Sequence, residues 1–188
     1  MAEHEDNLSD PTDEELDELD DLDDLEDLNT SNEVETASEV DIAVAAWHED
    51  GRWTLGLLPN PHDLTKIITN LKSQQTNGGS IALIAIDEEF FILVRVLGSH
   101  ISLFLSDATC ALDYSVAEEL LEIADIPMPE DGDEPNPTGH LEILADLGLS
   151  GMEISALCDD DELFPDEQLE AIANRLGFGE KFAELLEL

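Results

Sequence analysis

Any chemistry in this chain would have to come from its histidines, cysteines and carboxylates. The five histidines are His4, His48, His62, His100 and His140; none lies four residues from another and none sits beside a cysteine. A zinc site needs a clustered His/Cys set, and no such spacing occurs. Cys110 and Cys158 are far apart, and Cys158 is followed by three aspartates. A nucleophilic thiol needs a base and an electropositive setting. A chain with 48 Asp/Glu against 6 Lys/Arg, net −42, supplies the opposite field. An EF-hand needs alternating ligands, a glycine at its sixth position and a glutamate at its twelfth; neither Asp131–Glu134 nor Asp159–Glu162 has that spacing. Phosphate-binding and dinucleotide glycine patterns are missing as well. His48 or His100 beside a carboxylate could at most serve a weak hydrolase. The expectation is a non-enzyme with no catalytic residue, no metal and no cofactor.

The charge says more about partners. Residues 1–39 hold 18 of the acidic residues and no Lys or Arg, and residues 127–188 are again strongly acidic, so the apolar middle lies between two acidic ends. Nucleic acid and anionic membranes must be neutralised by Lys and Arg. Direct binding to either is therefore not expected. A basic protein partner would be steered toward this field in a salt-dependent way; the plainer reading is that the acidity serves solubility. The opening MAEHEDNLSD has no basic n-region and no apolar h-region. The apolar run near Phe90–Leu97 is interrupted by Arg95 and too short to span a bilayer, and two distant cysteines suit a reducing compartment. Together these features predict a cytoplasmic protein.

The elements that position these residues divide the chain into four parts. Residues 1–39 read as a disordered acidic tail, too polar to offset its backbone entropy. Within it Leu16, Leu19, Leu22, Leu25 and Leu28 recur every three residues. At about 100° per residue that period smears around a helix and forms no single face, so it reads as a linear motif for a partner or as plain solvated tail. Residues 40–126 read as a sheet domain. Asp41–His48 and Arg52–Leu58 alternate about Asp50-Gly51, a type I′ hairpin signal. Asn60-Pro61 opens a helix with Leu64, Ile67, Ile68 and Leu71 as its stripe. Ile81–Ile86, Phe90–Leu97 and Ile101–Leu105 follow as antiparallel strands, the first apolar on both faces, as a central strand or one covered on both sides would be. Val116–Ala124 closes the domain as a helix. The order ββαβββα predicts an α+β fold with a five-stranded antiparallel sheet, analogous in order to profilin-like and roadblock-like folds.

Residues 127–139 (PMPEDGDEPNPTG) read as an acidic, proline-rich linker. Residues 140–188 read as a cluster of short helices: His140–Leu147 stopped by Gly148, a helix opened by the Ser150/Glu153 capping box, one from Pro165 to Gly177, and a last one from Glu180. Trp47 and Trp53 flank the hairpin turn and read as cross-strand neighbours that stabilise it, or as an exposed protein-binding anchor. Phe178 and Phe182 give the C-terminal helices a candidate docking element.

The segments AAWHEDGRW, FILVRV, LFLSDA, GHLEILADLGL and LFPDEQLEAIANRLGFGEKFAELL occur here in that order. With them, residues 40–188 resemble the actinobacterial family of tRNA adenosine deaminase-associated proteins. The most specific parts are Phe104–Ala108, Ile143–Leu149 and Arg175–Gly179. The resemblance implies an accessory role beside a tRNA adenosine deaminase and brings no catalytic residues with it. The chain is not such a deaminase, since those enzymes combine a His-x-Glu element with a Pro-Cys-x-x-Cys element and that combination is absent. The expected partner is thus a protein, with a tRNA adenosine deaminase as the specific candidate. The alternative is a stand-alone small-ligand or regulatory module with an apolar pocket on the sheet face opposite the helices.

Overall fold

The fold is built on a sheet that is apolar on both faces. In the computed structural model, residues 41–187 apart from Gln75 are described. The expectations for residues 1–39, including the leucine repeat, lie outside the described residues. Strands β1 (Ile42–Glu49), β2 (Arg52–Leu57), β3 (Ser80–Ile86), β4 (Phe90–Leu97), β5 (His100–Leu105) and β6 (Thr138–Gly139) form one sheet in the order β2-β1-β3-β4-β5-β6. Every neighbouring pair is antiparallel.

The sheet has six strands where five were expected. The extra one is the end of the proline-rich segment, whose Thr138 and Gly139 lie opposite Leu105 and Phe104. Gly139 takes φ +96°, and a Cβ there would come within 2.4 Å of the Leu103 carbonyl oxygen. Only glycine allows that approach. Asn136 adds a second tether, its carbonyl accepting the Ala108 N–H at 2.8 Å.

Period-2 alternation sorts the side chains to two cores. On one face Ala43, Ala45, Ile84, Ile92 and Val94 meet α1 (Leu64–Ser73) and α2 (Ser115–Ile123). On the other Val44, Leu83, Phe91, Leu93 and Phe104 meet α3 (Gly151–Cys158), α4 (Pro165–Leu176) and α5 (Gly179–Leu186). All seven residues of β3 are buried, as a central strand covered on both sides requires. The C-terminal helices therefore complete a three-layer arrangement.

Local signals set most element ends. Asp50 and Gly51 both have positive φ, 51° and 77°, as a type I′ turn demands. Ser150 and Glu153 form the capping box of α3, Pro165 opens α4, and Gly177 ends it in the left-handed region. Two expectations fail. The first helix begins at Leu64, because Asn60 Oδ1 accepts the His62 N–H in a turn of its own and Asp63 caps the helix through the Lys66 N–H. His140–Leu147 holds one 3-10 turn, Ala145–Leu147, and no α-helix. Arg95 takes the Ile143 carbonyl that an α-helix would offer to Leu147, whose N–H turns to Leu144 at 3.0 Å.

Candidate functional site

His62 is the histidine most closely held. Its Nε2 lies 2.8 Å from Asp41 Oδ2, and the other oxygen of that buried carboxylate accepts the Asp87 N–H at 3.0 Å. The arrangement pins the start of β1 to the loop before α1 and to the β3–β4 turn. His48 stacks edge-on against Trp53, with ring centroids 5.2 Å apart. His100 and His140, distant in sequence, line one open groove of about 540 Å³ with Ile101, Ile123 and Ile126. Pairing of β6 with β5 brings them there: the His140 N–H donates to the Leu103 carbonyl at 2.7 Å. His140-Leu141-Glu142 spells a His-x-Glu element by letter. Glu142 Oε2, however, accepts the Gly151 N–H at 3.3 Å and so helps hold the start of α3.

The two thiols are poor nucleophiles. Burial first, then the carboxylates of Asp107 and Glu89, push Cys110 up to about 12. Burial and Asp159 push Cys158 up to about 12 as well. Cys158 lies at a second cavity of about 330 Å³, rimmed by Glu88, Asp107, Asp159 and Asp160, with Phe164 at its mouth. Among the described residues no group of three or more His, Cys, Asp or Glu is placed to hold a metal ion.

Arg95 is the buried cation of the sheet, only 6% exposed. It donates to both carboxylate oxygens of Asp146, through Nη2 at 2.7 Å, and to the Ile143 carbonyl at 3.0 Å. The guanidinium holds the Asp146 carboxyl below the usual carboxylate range. The planar fork suits two parallel bonds to one carboxylate. It fixes the segment after β6 onto the sheet and acts as a structural clamp.

The two tryptophans are not directly opposed. Trp47 lies across from Thr54 and His48 across from Trp53, because the two-residue turn pairs Glu49 with Arg52. Alternation then sends Trp47 toward the α1/α2 core and Trp53 toward the C-terminal helices. Both are half-buried. Trp53 packs on Phe178 with centroids 4.7 Å apart. Phe178 and Phe182 are 2% and 0% exposed, so their rings sit inside the second core. Lys181, on the same helix, donates to the Trp53 carbonyl at 2.6 Å.

Among the described residues the exposed charges are mostly acidic, on a three-layer scaffold with sheet faces already filled. The chain belongs to the family of Rv3753c-like tRNA adenosine deaminase-associated proteins, whose model matches residues 41–179. A curated relative, Protein Rv3753c of Mycobacterium tuberculosis (strain ATCC 25618 / H37Rv), is 36% identical over 150 residues, spanning 77% of this chain and 86% of the relative. No solved structure matches. No helix among the described residues is long and apolar enough to cross a membrane.

Proposed function

We propose that this chain is a non-enzymatic, cytoplasmic accessory protein that binds a protein partner, and that the partner is a tRNA adenosine deaminase. The observation that carries the reading is the net charge of −42 on a member of a family described as deaminase-associated. An enzyme that binds tRNA must meet phosphates with Lys and Arg. An acidic protein is complementary to that surface and would shield or occupy it. The sheet is the scaffold, and the acidic exterior steers association. In this reading the Leu16, Leu19, Leu22, Leu25 and Leu28 repeat is a linear motif that adds contacts on the partner. Phe178 and Phe182 contribute by holding α5 in place under the sheet.

Co-purification of the two proteins at low and high salt tests the proposal. Association at low salt that weakens as salt rises is expected; no association at any ionic strength would overturn it. The small-ligand reading called for an apolar pocket on the sheet face opposite α1 and α2. That face is filled by Phe91, Phe104, Leu169 and Phe182, each fully buried, and no observation favours that reading.

A further inference from the structure

The sheet has two edges, and they are treated differently. At the β2 edge, Lys181 reaches over to the Trp53 carbonyl; a lysine on an edge is a common guard against strand addition. At the other edge, β6 covers only Phe104 and Leu105, with one further bond from His140 to Leu103. The chain then turns away, the Ile143 N–H bonding back to the His140 carbonyl. The Leu103 carbonyl points outward, and groups alternate along a strand. The N–H and C=O of Ile101 therefore also point outward, past the end of β6. The groove of about 540 Å³ lies along this stretch, between β5 and the end of α2. Its floor is apolar: Ile123 is 44% exposed, and Ile126 is half-buried.

We infer that this open stretch of β5, His100–Ser102, accepts an extended segment of the partner protein as an added strand, with apolar side chains in the groove and basic ones at the end of α2. The inference rests on the protein-binding reading above and specifies the chemistry of the contact. Strand addition takes its affinity from main-chain bonds and its specificity from pockets for alternate side chains. Charge complementarity selects a basic segment. The last turn of α2 carries no basic residue, so the negative end of its dipole is uncompensated. Glu122 and Asp125, which flank the lining residues Ile123 and Ala124, are both exposed. None of the six Lys and Arg lines the groove. A second copy of this chain, itself at −42, is disfavoured at the same edge.

The test titrates the labelled full chain with a synthetic Lys-Val-Lys-Val-Lys-Val peptide at 0.15 M salt, followed by amide NMR. Two controls accompany it: the same peptide N-methylated at alternate amides, which keeps its charge, and a Glu-Val counterpart. Saturable shifts and slowed exchange at the Ile101 amide are expected, with each control at least 10-fold weaker. Ile101→Pro removes the outward N–H at an edge position, where proline is tolerated, and is expected to weaken binding at least 10-fold. Ile123→Lys alters an exposed side chain, leaves the fold intact and is expected to weaken it at least 5-fold. Equal binding of the N-methylated peptide, shifts scattered over the acidic surface, or light scattering that shows edge dimers would overturn the inference. Peptide capture at β5 without deaminase co-purification would overturn the proposed function alone. Co-purification unaffected by Ile101→Pro and Ile123→Lys would overturn this inference alone.

Discussion

Arg95 and Asp146 illustrate what single residues contribute. The guanidinium is 7% exposed and the carboxylate 58%, so the two ends of the pair differ in their need for each other. Asp146→Ala leaves a largely buried charge with the Ile143 carbonyl as its described remaining acceptor and water at the exposed end, an expected cost of about 1.5–3 kcal/mol. Arg95→Met leaves a carboxylate that water can solvate, and its cost is expected to be smaller; urea unfolding of both variants checks the order. The pH dependence has a definite sign. A carboxyl held below its unfolded value of about 3.9 stabilises the fold above that pH and loses the contribution as pH falls through its depressed folded value. Asp146→Asn should therefore flatten the loss of stability on the acid side of about pH 4, measured as the urea midpoint against pH. Both thiols, pushed up to about 12, should react far more slowly with a thiol reagent at pH 8 in the native chain than in urea. Arg95 was legible as the one cation in an apolar strand. Its partner was not, because an ion pair across 51 residues leaves no mark in local spacing.

At the scale of elements, the legible features are those encoded within a few residues. The Ser150 capping box, Pro165, Gly177, the Asp50-Gly51 turn and the Leu64–Leu71 stripe all sit where local chemistry places them. The misread elements depend on distant partners. Thr138-Gly139 has no strand pattern of its own and becomes β6 only because β5 offers an edge. Gly139→Ala is expected to break that pairing, with amide exchange of Leu105 and Thr138 as the readout. The tryptophan faces were within reach of the sequence, since a two-residue turn after Glu49 already fixes Trp47 opposite Thr54. Phe182, fully buried on α5, should cost about 3–5 kcal/mol as Phe182→Ala. Phe164, 57% exposed, should change stability by less than about 0.5 kcal/mol as Phe164→Ala. Chemical denaturation of the pair separates a residue that seals the second core from one that does not. The groove at β5 had no local signature, because it exists only where β6 stops short and α2 ends beside it.

For the whole molecule, self-repulsion is the dominant electrostatic term. A net charge of −42 faces three Lys/Arg–carboxylate pairs among the described residues. Salt screens repulsion and attraction alike, so the larger quantity decides the sign. Raising salt from low concentration to 1 M at pH 7 is expected to raise the melting temperature by several degrees; a fall would mean that the pairs outweigh the repulsion. The α+β class and the antiparallel sheet were legible from alternation and turn spacing, and β3 read as a central strand or one covered on both sides. How the far side is covered was not legible, because Phe178, Phe182 and Leu169 carry no sign of which surface they will meet. That arrangement has a consequence for synthesis. Residues 42–123 supply all the long strands and the first helical layer, while the second layer comes from residues 143–186. At about 5–20 residues per second, the nascent sheet carries Phe91, Leu93 and Phe104 uncovered for a few seconds while the last helices are made. During that interval the growing chain is a natural client for a chaperone, and a chain truncated before Ile143 would be an aggregation-prone half-sandwich.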